Sequence, residues 1–224
     1  MKKSWWKILS ILLLLYTIIG GLLLPVPALP IVNETIRNLY FHVTMWFSMI
    51  GILLVSLIYS IKYLSSSSME HDIIASEAVN TGILFGILGL TTGSLWARAT
   101  WGAFWTADAT LNGAAITLLT YLAYIVLRGS INEEQKRAKI SAIYNIFAYI
   151  LLIVFLMIYP RLHNVDTLHP GKGGNPGFNT YDLDSHLRLV FYPAIIGWIL
   201  LGTWMLTIRI RIQKLKRNLF YNEN

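Results

Sequence analysis

Six runs of apolar residues, each close to the length a helix needs to cross a bilayer, govern what this chain can fold into. A helix rises about 1.5 Å per residue, so about 20 apolar residues cover roughly 30 Å of hydrocarbon. The runs lie at about residues 6–24, 41–63, 73–92, 111–127, 141–159 and 187–208, the fourth being the shortest. Hydrophobic residues make up 55% of the chain and charged residues 13%, against roughly 25% charged in a soluble domain. The expectation is an all-α polytopic membrane protein with six transmembrane helices, folded as a single domain over residues 1–224.

The first run follows Lys2, Lys3 and Lys7. It is long for the apolar core of a signal peptide and no A-x-A-like cleavage site follows it, so it reads as a retained anchor. With the N-terminus in the cytoplasm, 13 basic residues fall on that side and 5 on the other, together the 18 Lys and Arg of the chain. This asymmetry, with an even number of spans, predicts that both termini are cytoplasmic. The net charge of +7 is therefore a matter of topology. It does not describe a nucleic-acid groove, because the basic residues sit at the ends of apolar runs rather than among exposed aromatics. The basic segment 209–217 after the last run is expected to meet anionic headgroups of the membrane lipid. Cysteine is absent. That excludes disulfides, thiolate-bound zinc and iron–sulfur clusters, and leaves histidine as the strong ligand for a soft metal.

On this topology residues 25–40, 93–110 and 160–186 reach the exported side, together with His42, His163, His169 and His186. His71 falls inside. The segment 93–110, GSLWARATWGAFWTADAT, is expected to be a loop that offers a flat aromatic surface from Trp96, Trp101, Phe104 and Trp105. Tryptophan is also enriched wherever spanning helices leave a membrane, and an aromatic belt explains one or two of these residues. Gly102 removes a side chain where a planar ligand could approach. Asp108 stands where the next helix begins and suits an N-cap.

His42 lies at the outer end of the second run, where a rigid helix could present a neutral imidazole to iron; as a lone residue it reads first as an interfacial histidine bonded to backbone, and only its context favours iron. His169 precedes Gly171, Gly173, Gly174, Pro176 and Gly177 in the longest connection. Periodicity does not choose among His163, His169 and His186, and His186 could instead cap its own helix. Glu77, about one turn inside the third run, reads as an interfacial carboxylate.

Residues 101–108, WGAFWTAD, resemble the tryptophan-rich WGxxWxWD signature of the haem-handling proteins of cytochrome c biogenesis, and the six-run chain is similar to their CcmC branch. Residues 37–43, RNLYFHV, resemble the segment carrying that family's first external histidine, and residues 167–171, TLHPG, the segment carrying the second. Two positions depart from the pattern. Ala107 stands where the signature has its last tryptophan, and Thr110 follows Asp108 where an arginine is common.

The resemblance implies haem b as a transported ligand, held at the periplasmic face of a bacterial inner membrane between axial His42 and His169. Trp96, Trp101 and Trp105 would line the site and Asp108 would hold that platform, while Arg37 and Arg98 could meet the propionates as bidentate donors. It further implies delivery to a CcmE-type haem chaperone, with CcmA, CcmB and CcmD-type subunits assisting, and a transfer protein rather than an enzyme. One alternative is a haem lyase, although lyase relatives generally carry more spans and a large exported domain. Another is a b-type electron-transfer cytochrome, which would favour histidines facing each other within the bundle.

Overall fold

A computed structural model describes residues 4–169 and 183–222, and all regular structure among them is helical. The six spans are α1 (Trp5–Leu23), α2 (Leu39–Ser66), α3 (Met69–Trp101), α4 (Ala109–Gly129), α5 (Glu134–Ile153) and α6 (Ser185–Asn222). Each is long and apolar enough to cross a membrane, α5 being extended to Arg161 by two further turns. Gly171, Gly173, Gly174, Pro176 and Gly177 lie outside the described residues.

Packing follows the logic of helices in lipid. Acyl chains solvate leucine as well as a protein core does, so helix pairs gain from close approach of small residues instead of from hiding large ones. In α1, Ser10, Thr17, Gly20 and Gly21 are buried, while Leu12, Ile19 and Leu22 are exposed. Its small face lies on α6, where the Ser10 hydroxyl donates to the Gly197 carbonyl at 3.2 Å. A left-handed Ser67 (φ 53°) reverses the chain between α2 and α3, and these two helices form the most extensive contact of the bundle. Four glycines of α3 each receive one α2 side chain. A Cβ would stand 2.7 Å from Leu53 at Gly82, 2.8 Å from Met49 at Gly86, 2.8 Å from Trp46 at Gly89 and 2.4 Å from His42 at Gly93. The register of the hairpin is thereby set along its length.

Two prolines break regular helix, and each break is used. Pro193 cannot donate to the carbonyl four residues earlier, that of Leu189; the Tyr16 hydroxyl of α1 donates to it instead, at 3.2 Å. Pro160 follows a π-helical turn, Val154–Ile158, and opens a 3₁₀ turn, Tyr159–Arg161. Wide π turns of this kind recur at functional sites. Gly113 of α4 admits this turn, since a Cβ there would be 2.5 Å from the Phe155 carbonyl oxygen.

Two expectations from the apolar runs need correction. Residues 93–101 are not a loop: α3 continues through Trp101, with Gly93 kept inside the helix where it packs on the His42 ring. Gly102 terminates the helix with φ 80°, and nothing lies within 4 Å of where its Cβ would be. The left-handed conformation accounts for glycine here, and the space beside it is open. Similarly, α6 runs far past residue 208, and its basic end is drawn back onto the bundle. Arg209 pairs with Glu77 at 2.8 Å, Lys214 with Glu70 at 2.9 Å and Arg217 with Glu134 at 3.7 Å. Glu77 is thus the carboxylate of an inter-helix ion pair.

Candidate functional site

At the end of the bundle where α2 and α4 begin and α3 and α5 finish, a cavity of about 180 Å³ is lined by both His42 and His169. His42 sits one turn into α2, and the absence of a side chain at Gly93 is what leaves room for its ring. Its Nδ1 lies 2.8 Å from the Gly89 carbonyl and 3.3 Å from the Thr92 hydroxyl. A carbonyl can only accept, so Nδ1 carries the proton and Nε2 keeps its lone pair.

His169 reaches the same cavity from an irregular segment that Asp108 ties down. Asp108 Oδ1 accepts from the Thr110 and Leu111 amides at 2.9 and 3.1 Å, which caps α4 as its position suggested. Its Oδ2 accepts from the Thr167 hydroxyl at 2.8 Å and the Leu168 amide at 2.7 Å. Nδ1 of His169 stands 3.0 Å from Asp108 Oδ1, a close polar contact that falls short of an aligned hydrogen bond. The carboxylate favours the proton on Nδ1, and Nε2 is again left as a lone pair. Burial of Asp108 works to raise its carboxyl, but the His169 ring, the Leu168 amide and the Thr167 hydroxyl together outweigh it and hold the group well below the usual carboxylate range. The Thr110 and Thr167 hydroxyls bond each other at 3.0 Å, so Thr110 joins the same clamp.

The cavity wall is apolar and aromatic. Trp46, Trp96 and Trp105 line it. Trp96 stands edge-on to His42 at 5.9 Å between ring centroids, and Trp46 does so at 6.5 Å. Trp96 donates to the Thr35 hydroxyl at 3.1 Å and Trp105 to the Asn112 side-chain oxygen at 3.2 Å, which holds their planes. Trp101 is not in the lining; it meets the His169 ring edge-on at 5.2 Å. Trp46 was not singled out in the sequence, although it lies one helical turn after His42 on the same face.

The arginines are distributed differently from expectation. Arg37 does not line the cavity. It pairs with Glu34 at 2.7 Å and donates to the Gly21 and Leu24 carbonyls, each at 2.8 Å, closing the C-terminal end of α1. Arg98 also stands outside the lining, donating to the Gly102 carbonyl and lying over the Phe104 ring at 5.8 Å. The arginine that lines the cavity is Arg161, whose Nη1 donates to the Leu156 and Met157 carbonyls at 3.2 and 2.8 Å. Both acceptors lie in the π turn, which no residue pattern announced. His186 pairs with Asp184 at 3.1 Å and stays exposed; neither it nor His163 lines the cavity.

The helices and the cavity define a multi-pass membrane protein that brings two imidazoles from distant parts of the chain to one aromatic-walled opening. The chain belongs to the CcmC family: the family model described as heme exporter protein C matches residues 2–223. It is 32% identical to the heme exporter protein C of Bradyrhizobium diazoefficiens over 115 residues, which covers 50% of this chain and 42% of that protein. The Haemophilus influenzae protein of the same name is 28% identical over 144 residues, covering 61% of this chain and 54% of the relative. A cytochrome c biogenesis protein CcsA of Prochlorococcus marinus is 35% identical over 91 residues, 41% of this chain and 28% of the relative. The chain thus spans about half the length, or less, of these relatives.

Proposed function

We propose that this chain binds haem b as cargo at the periplasmic face of a bacterial inner membrane and passes it to a CcmE-type chaperone during cytochrome c maturation. CcmA, CcmB and CcmD-type subunits would be its partners. The observation that carries this reading is the pair His42 and His169, each with Nδ1 beside an acceptor and Nε2 left to coordinate, in one cavity walled by tryptophan. Two neutral imidazoles are a suitable axial set for haem iron. The excess of basic residues at the opposite end supports an outward direction for this one.

At about 180 Å³ the opening is smaller than the roughly 300–1,000 Å³ of pockets that enclose a drug-sized ligand. Haem would seat its centre between the imidazoles and leave an edge outside. Trp96 and Trp105 would flank the ring, Trp101 would hold the His169 ring in place, and Arg161, in preference to Arg37 or Arg98, would meet a propionate. No nucleophile or acid–base pair is needed for this task, so the protein acts as a transfer protein and not as an enzyme.

The test is the visible spectrum of purified wild type beside His42→Ala and His169→Ala. Wild type carries haem absorbance, and each variant loses most of it or shifts its bands. A wild type free of haem, or two variants with the wild-type spectrum, would overturn the assignment.

A further inference from the structure

The end of the bundle opposite the histidines holds a second cavity, of about 470 Å³, between α3, α4, α5 and α6. Its floor is a neutralised pair. Asp72 in the first turn of α3 accepts two hydrogen bonds from Arg128 in the last turn of α4, at 2.8 and 2.6 Å. Acid at a helix start and base at a helix end both suit the helix dipoles, and Arg128 neutralises the Asp72 charge. Above it stand Arg137 of α5 and Lys216 of α6. Neither meets a carboxylate among the described residues; Arg137 only approaches the Ile131 carbonyl at 3.5 Å. With Arg217 and Glu134 included, the lining carries four cations against two carboxylates, a net charge of +2. Cations gathered in a low-dielectric cleft focus their field on whatever anion enters it.

Alongside the cationic face of α6, Ile212, Leu215 and Leu219 form a stripe at helical spacing that is 48%, 62% and 60% exposed. A soluble phosphate ester has no use for such a stripe. A phospholipid needs both surfaces, the cations for its phosphate and the stripe for the start of its acyl chains.

We propose that this cavity is a specific site for the phosphate headgroup of an anionic phospholipid, with Arg137 and Lys216 as its charged contacts and the Ile212, Leu215 and Leu219 stripe beside the tails. This goes beyond a diffuse attraction of the basic α6 end to the membrane, and it holds whether or not the opposite cavity binds haem. The lipid would add a second link between α6 and α5 beside the Arg217–Glu134 pair.

The experiment measures the thermal midpoint of the full chain in detergent with phosphatidylglycerol, phosphatidylcholine or inorganic phosphate added. Phosphatidylglycerol should raise the midpoint by roughly 5 °C and remain as an adduct in native mass spectra. The Arg137→Gln/Lys216→Gln variant should lose most of that shift. A charge-matched control, Lys139→Gln/Arg211→Gln, should keep it; neither of its positions lines the cavity. Helical content by circular dichroism checks that both variants fold. An equal shift with phosphatidylcholine, an equal loss in the control, or absence of any adduct on wild type overturns the proposal. A shift with inorganic phosphate alone, as large as that with the lipid, would assign the cavity to a soluble phosphate and reject the lipid.

Discussion

Gly93 of α3 sits directly against the imidazole of His42: a Cβ at that position would lie 2.4 Å from Cε1 and 2.9 Å from Nδ1. The ring can neither flex away nor rotate freely, since its Nδ1 is bonded to the Gly89 carbonyl one turn earlier on the same helix. Gly93→Ala should therefore displace His42 rather than be absorbed. Haem retained after purification should fall about tenfold or more, as when a group that orients a ligand is removed. The matched control is Gly51→Ala, where a Cβ would make ordinary contact with Ile199 at 3.8 Å. It should leave haem unchanged and stabilise α2 by up to about 1 kcal/mol through helix propensity. Equal haem content in the Gly93 variant and wild type would remove Gly93 from the site.

Asp108 joins two tasks that one substitution separates. Asparagine can keep an oxygen toward the Thr110 and Leu111 amides, so α4 remains capped. Its amide NH₂ would then face the Leu168 amide, donor against donor, where Oδ2 now accepts, and would keep the Thr167 hydroxyl only if that hydroxyl turned to accept. Asp108→Asn should lose haem about tenfold or more while helical content stays at the wild-type level. Asp108→Ala should do both harms, adding about 0.5–2 kcal/mol for the lost cap. Absorbance and circular dichroism on the same samples distinguish the two variants.

The six spans were legible because a hydrophobic run of bilayer length has one structural solution. The helix ends were not. Apolarity stops at the membrane surface, whereas a helix stops at a breaker, so α3 ran on to Gly102 and α6 ran on through a basic segment that the acids of α3 and α5 hold. His42 and His169 could be named from family resemblance, and the structure brings both to one cavity. The arginines illustrate what sequence order conceals. All three arginines donate to backbone carbonyls, but those that hold Arg37 and Arg98 lie away from the cavity, at the end of α1 and at Gly102, while those that hold Arg161 lie in the π turn beside it. Charge alone does not say where a long side chain points.

The Asp108 clamp should also show in acid. Its carboxyl titrates below the ordinary value of about 3.9, held down by the His169 ring, the Leu168 amide and the Thr167 hydroxyl against the opposing effect of burial. A depressed folded value means that the stabilisation is fully present above about pH 4 and is lost as pH falls below it. The thermal midpoint of haem-free wild type should consequently drop more between pH 5 and pH 3 than that of Asp108→Asn, which has no proton to take up there. Other carboxylates titrate alike in both proteins, so the difference in slope isolates Asp108. Parallel slopes would show that the clamp contributes no pH-dependent stability.

The Asp72–Arg128 pair allows a sharper test of energetics, because its side chains are only 5% and 18% exposed. Removing one partner leaves a charge with little water around it. Arg128→Met should cost about 3–5 kcal/mol of stability in detergent. The double variant Asp72→Leu/Arg128→Met strands no charge and should recover most of that loss, since a buried pair replaced by apolar side chains is often neutral or better. The lipid site above the pair makes a second distinction possible. If Arg137 and Lys216 hold the headgroup, the double variant should keep its stabilisation by phosphatidylglycerol, because neither of those cations has been touched. Unfolding midpoints of the two variants, each measured with and without that lipid, separate the role of the pair as a foundation from any direct contact with the anion.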